Sequence, residues 1–120
     1  SAVQVGTAFL AADESDIPAA WKQALAVAEP EATRATRAFS GRLGRALDTA
    51  YVRAAEAADA PVPRPYPVQR GLTAGMRKQA SAANRLDAMQ AWAGQSAWLA
   101  KRAPAAGILR AMWAQAQALP

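Results

Sequence analysis

The run AVQVGTAFL at residues 2–10 decides how the rest of the chain is read. Val3, Val5, Phe9 and Leu10 make it nearly continuous in apolar character, interrupted by Gly6 and Thr7. A short run of this kind fits a strand buried on both faces, as in a parallel sheet. Helix is the competing assignment, and Gly6 with the two valines argues against it. A strand buried on both faces needs neighbours for its backbone donors and acceptors. The remaining sequence offers at most one weak second strand, so those neighbours are expected to lie outside it. The expectation is therefore a piece of a larger α/β protein, starting at the beginning of a strand.

Composition points the same way. Over 120 residues the hydrophobic share is 52%, but alanine dominates that figure and large aliphatics are scarce. Alanine favours helix strongly and has little side-chain area to bury. A mostly helical chain with a thin core follows, some of whose apolar faces dock on something else. The net charge of +5 permits acidic partners without requiring them. The densest basic stretch, Arg34, Arg37, Arg42 and Arg45, has no recognition motif and no interleaved aromatics, so it reads as a solvated face with no nucleic-acid role. No apolar run is long enough to span a bilayer, and the start has no basic region of a signal peptide. A cytoplasmic setting with no membrane contact is the expectation. With no cysteine and no histidine, the chain has neither a thiol nucleophile nor the commonest acid/base group, and is poorly equipped to be a complete enzyme.

Beyond residue 11 the pattern is helical. Residues 16–28 read as a helix with Ser15 or Asp16 as cap, Pro18 in the first turn, and Trp21, Leu25 and Ala28 on one face. Residues 31–42 are divided: Thr33, Thr36 and Phe39 favour strand, the alanines and arginines helix. Leu43, Leu47, Tyr51, Ala54 and Ala58 recur at helical spacing, which predicts a helix over 43–59. Residues 60–68, with four prolines, predict a stiff extended loop. Helices are predicted over 69–83, 85–101 and 104–119. The four tryptophans read as packing anchors.

Gln4-Val5-Gly6-Thr7 is the sharpest local feature. Glycine lets the backbone approach a ligand closely, and neighbouring amides and the Thr7 hydroxyl can donate to a phosphate. A glycine in a strand can equally mark a bulge or close packing, and that alternative stays open.

The run SAVQVGTAFLAADESDIPAAWKQAL resembles the last barrel strand and following helix of nitronate monooxygenases, once called 2-nitropropane dioxygenases. RAFSGRLGR at 37–45, PVPRPYPVQ at 61–69, WAGQ at 92–95 and RAPAAGILRAMW at 102–113 follow in the order seen in that family. The resemblance implies an α/β fold: the C-terminal part of an FMN-binding (β/α)8 TIM barrel, itself mostly α-helical with one or two strands. It implies a last barrel strand with its phosphate loop at 1–11 and a helical segment at 12–59. A proline-rich loop at 60–68 and helices packing over and back onto the barrel at 69–120 follow. It implies FMN phosphate contacts from Gln4, Val5, Gly6 and Thr7, and oxidation of alkyl nitronates such as propionate 3-nitronate to a carbonyl compound and nitrite with O2. The cofactor carries the redox chemistry. The family's catalytic histidine lies upstream, so no catalytic residue is assigned here and the segment alone is expected to be inactive.

The same resemblance suggests that Tyr66 reaches toward flavin and substrate; the alternative is a ring packed on prolines. Arg70 is a solvated arginine or an attractor of an anionic nitronate. Gly94 is expected to serve packing or to mark a break in the helix, Gln95 to take part in helix–barrel packing or to touch the flavin ring, and Arg42 to form a salt bridge beside a Ser40-Gly41 turn. Two other functions stay open. One is a flavin-dependent enoyl-acyl-carrier-protein reductase, similar in fold and strand motif. The other is a non-enzymatic helical binding module.

Overall fold

A computed structural model describes residues 2–119. The N-terminal residues 2–6 have no regular secondary structure, and a single helical turn follows, α1 (Thr7–Leu10). Then come α2 (Ala19–Ala26), strands β1 (Thr33–Thr36) and β2 (Gly44–Leu47), and α3 (Ala50–Ala55). An extended proline segment leads to α4 (Val68–Leu72) and α5 (Ala74–Ala82). Two 3-10 turns, Leu86–Ala88 and Ala97–Leu99, precede α6 (Ala105–Gln117).

The strand expected over 2–10 is not formed. A strand needs a partner for its amides and carbonyls, and among the described residues the only sheet is the β1–β2 pair. Without a partner, Thr7–Leu10 satisfies itself locally by winding, with Phe9 N donating to Gly6 O at 3.0 Å.

The helix expected over 43–59 is broken in two. Gly44–Leu47 pairs antiparallel with Thr33–Thr36, Thr33 opposite Leu47 and Thr36 opposite Gly44. Thr49 then starts α3, its hydroxyl accepting from Val52 N at 3.4 Å. The divided stretch 31–42 thus resolves into a strand followed by a turn at Ser40–Arg42. The other edge of β2 is also occupied. Leu47 N donates to Ala91 O at 2.9 Å, and Ala93 N to Arg45 O at 3.0 Å. Ala46 and Trp92 pair antiparallel, so residues 91–93 are extended where the spacing predicts helix. Gly44 permits this: a Cβ there would lie 2.8 Å from the Trp92 indole. The helix expected over 85–101 loses to that pairing and survives only as the two 3-10 turns.

Capping also comes from afar. Neither Ser15 nor Asp16 caps α2; Pro18 occupies the cap position, and Asn84 Oδ1 accepts from Ala20 N at 2.8 Å. The 69–83 helix is divided at Thr73, whose buried hydroxyl donates to Phe39 O at 2.6 Å. Of the loop expected over 60–68, residues 61–65 have no regular secondary structure, but Tyr66 and Pro67 turn and Val68 already begins α4; α6 runs nearly the full predicted 104–119.

Two clusters form the core. Leu25, Leu47, Ala91, Ala93 and Ala97 make one, with Leu10, Ile17, Trp21, Ala24 and Leu86 against it. Phe39, Ala46 and Val52 make the other, with Tyr51, Met76 and Trp92. The predominance of alanine among the buried residues is the thin core that composition suggests. Trp21 and Trp92 act as packing anchors, whereas Trp98 and Trp113 are exposed.

Tyr51 stacks on Phe39 at 5.2 Å between centroids and donates its hydroxyl to Ala38 O at 3.2 Å. Burial raises its phenol above the ordinary 10.0. The folded state therefore prefers the protonated ring. That contribution to stability is complete below pH 10.0 and is lost as pH rises through the folded-state value. Tyr51→Phe is expected to remove this alkaline slope while losing about 1 kcal/mol at neutral pH from the missing hydrogen bond. Urea midpoints of both proteins from pH 7 upward check it, and parallel alkaline losses would rule the cause out.

Candidate functional site

The N-terminal run and the C-terminal helix are tied together. Ala12 and Ala103 form a parallel bridge, with Asp13 N donating to Ala103 O at 3.1 Å. Glu14 Oε2 accepts from Ala105 N at 2.8 Å, at the start of α6. Lys22 Nζ donates to the carbonyls of Ala12 and Ser15, both at 2.9 Å, holding the intervening turn. An exposed pair, Arg102 Nε to Asp13 Oδ1 at 2.7 Å, adds orientation more than stability.

These ties leave a hollow of about 820 Å³ between residues 4–8, the 94–96 turn and the inner face of α6. All four residues predicted from the sequence, Gln4, Val5, Gly6 and Thr7, line it. So do Gly94, Gln95 and Ser96, and the cationic Lys101 and Arg102 at one side. Leu99, Ile108, Ala111 and Met112 supply apolar wall.

Donors face this space in excess. The amides of Gly6, Thr7 and Ala8 have no acceptor among the described residues. Thr7 Oγ1 accepts from Gly94 N at 2.8 Å, across 87 positions of sequence. Nothing described accepts the Thr7 hydroxyl proton. Gly6 has open space where a Cβ would stand, so the backbone there is reachable by a ligand. Free N–H and O–H donors beside two cations, with apolar wall behind them, suit an oxyanion carried on a larger apolar body. The described residues hold no cluster of three or more acidic, histidine or cysteine groups that could bind a metal. Nor does any helix there have the length and apolarity to cross a membrane.

Tyr66 is not brought to this hollow. It lies in the proline segment, 40% exposed, with the Arg42 guanidinium 4.1 Å above its ring. Arg42 therefore makes a cation–π contact where the sequence suggests a salt bridge. The Ser40-Gly41 turn is present: Ser40 Oγ accepts from Arg42 N at 3.2 Å, and Gly41 has φ +84°. Arg70 is exposed, and its carbonyl accepts from Arg77 Nη2 at 3.0 Å.

Sequence reasoning undervalued the second wall. Gly94 stands where the expected helix breaks, and both it and Gln95 are exposed on the hollow. WAGQ signalled that the segment matters. Nothing local in it says that its glycine amide meets a threonine near the other end of the chain.

With this geometry in place, comparison with known proteins is informative. A family model described as nitronate monooxygenase matches residues 1–115. A probable nitronate monooxygenase of Staphylococcus aureus is 33% identical over 107 residues, which cover 89% of this chain and 30% of that protein. Among solved structures, nitroalkane oxidase of Streptomyces ansochromogenes is 40% identical with a TM-score of 0.81, over 94% of this chain and 32% of that one. FabK of Thermotoga maritima is 28% identical with a TM-score of 0.72, over 92% and 35%. The chain spans about a third of the length of these relatives.

Proposed function

The chain belongs to the nitronate monooxygenase family, and on that premise we propose that it is one wall of an FMN-dependent enzyme that oxidises alkyl nitronates. Propionate 3-nitronate is the representative substrate; O2 is the oxidant, and a carbonyl compound and nitrite are the products. In this reading residues 1–11, whose described part pairs with no strand here, take the place of the last strand and phosphate loop of a (β/α)8 barrel once its other strands are present, and residues 12–59 are the helical segment after it. Residues 60–68 are the proline loop carrying Tyr66 toward the substrate, and residues 69–120 pack over and back onto the barrel. The rest of the barrel supplies the missing strand partners and the catalytic base.

The observation that carries the reading is the hollow lined by Gln4, Val5, Gly6 and Thr7, where no described residue accepts from the amides of residues 6–8 or takes the Thr7 hydroxyl proton. These groups fit FMN. Thr7 and the amides of residues 6–8 would donate to its phosphate monoester, and Lys101, with Arg102 beside its partner Asp13, would offset the charge. Bound there, FMN supplies the electron transfer between nitronate and O2. The chain's own part is to hold the phosphate and exclude water with Leu99, Ile108 and Met112. The exposed Leu109, Trp113 and Leu119, a large apolar surface for a free-standing module, fit docking onto a larger body.

The full-length protein carrying this segment is expected to purify with a visible flavin band, to release FMN on denaturation, and to form nitrite from propionate 3-nitronate with O2 uptake. Absence of flavin would sink the reading. The FabK likeness favours one second reading, an enoyl-thioester reductase. It predicts oxidation of a reduced nicotinamide nucleotide by an enoyl substrate and no nitrite.

A further inference from the structure

A single hydroxyl in the hollow has its hydrogen-bond polarity set by the backbone opposite. Thr7 Oγ1 lies 2.8 Å from Gly94 N. An amide nitrogen of this kind donates and does not accept, so the threonine oxygen is the acceptor. The Gly94 amide is itself held. Ala93 N, one residue before it, donates to Arg45 O at 3.0 Å on β2, and Gly94 O accepts from Ala97 N at 3.0 Å. With one lone pair of Thr7 occupied in this way, its proton turns away from Gly94. No described group accepts it.

We propose that Gly94 is a positioning residue: its amide commits the Thr7 hydroxyl to donating into the hollow, which makes the cradle selective for a phosphate monoester over the same ligand ending in an alcohol. The proposal rests on the phosphate reading of residues 4–7. An unconstrained hydroxyl rotates to donate or accept, and an alcohol can satisfy it either way. A hydroxyl with one lone pair held by an amide keeps its proton and one lone pair, and an anionic oxygen, which can only accept, takes the proton. Donation to an anionic oxygen is about twice as strong as to a neutral one. The N–H···O–H···O chain also polarises along its length, so the Gly94 bond strengthens when the anion arrives.

The test uses the full-length protein and compares its affinities for FMN and riboflavin, which differ only in the phosphate. Thr7→Val keeps the shape, removes the hydroxyl, and is expected to lower the FMN-to-riboflavin ratio about tenfold or more. Thr7→Ser should retain the ratio within about threefold. Gly94→Ala keeps the amide and sets its methyl in van der Waals contact with Thr7 Oγ1, at 3.4 Å, and should also retain it. Gly94→Pro removes the amide and should lower the ratio as Thr7→Val does. The double variant should lose no more than either single one.

If Gly94→Pro leaves the ratio intact while Thr7→Val lowers it, the positioning role is overturned and the phosphate reading stands. If Thr7→Val leaves it intact, both fall. Should Gly94→Pro not fold, nitrogen-15 glycine spectra decide. The Gly94 amide proton is expected to move downfield when FMN binds the wild type and to stay in place when riboflavin does. Equal shifts with the two ligands would overturn the proposal.

Discussion

Gly41→Ala is expected to lower the unfolding free energy by about 2–5 kcal/mol, the sum of left-handed backbone strain and overpacking. Gly41 has φ +84°, and a Cβ there would stand 2.6 Å from Tyr66 N and 2.8 Å from Pro65 C. Those are backbone atoms of the proline segment and cannot swing aside as a side chain would. The segment is also pinned. Gln69 Nε2 donates to Ala38 O at 2.7 Å, and Gln69 Oε1 accepts from Arg64 N at 3.0 Å. Alanine at position 41 therefore strains the turn or lifts residues 64–66 off it, and Tyr66 leaves its stack with Arg42. Gly41→Asn separates the two causes. Asparagine tolerates positive φ better but carries the same Cβ, so it should fall close to alanine if overlap dominates. Urea unfolding of the three proteins measures this. An unchanged midpoint in Gly41→Ala would show that the turn and the proline segment are not in this close contact.

Phe39→Ala is the second large effect, with an expected loss of about 3–5 kcal/mol. The ring is the largest fully buried side chain. It meets Tyr51 at 5.2 Å and Trp92 edge-on at 5.6 Å. Its removal opens a void between the hairpin, α3 and the 91–93 segment. Trp92 lies two residues before Gly94, so the damage should reach the hollow. Amide exchange at Ala93 and Gly94 is expected to rise with the loss of stability. A loss below about 1 kcal/mol would mean that the second cluster collapses around the gap or contributes little.

Much of the local organisation was legible because it depends on near neighbours. The proline density over 60–68 dictates extended backbone, since proline lacks a donor and restrains the residue before it. Ile108, Leu109, Met112, Trp113 and Ala116 keep a helical period, and α6 forms where they predict it. The candidate cradle was legible for a similar reason: Gln4-Val5-Gly6-Thr7 places glycine, amides and a hydroxyl side by side, and all four residues line one hollow. The misread stretches are those whose partners are distant. Leu43, Leu47 and Tyr51 have helical spacing, but Leu47 stands opposite Thr33 in the hairpin and donates its amide to Ala91 O on the other side. Leu86 to Leu99 has helical spacing too, yet Trp92 lies against Gly44.

By itself the sequence determined the helical bias, the thin alanine core, the proline segment and the family, and it singled out four candidate residues that line one hollow. Each of these depends on side-chain chemistry or on interactions within a few positions. Only the tertiary structure decided that residues 91–93 join the hairpin, that Asn84 caps α2, that Arg42 stacks on Tyr66, and that the Gly94 amide faces Thr7. A hydrogen bond spanning 87 positions leaves no local period or propensity behind. It exists because the strand pairing of Ala93 and the bridge from Ala12 to Ala103 bring two distant backbones within reach.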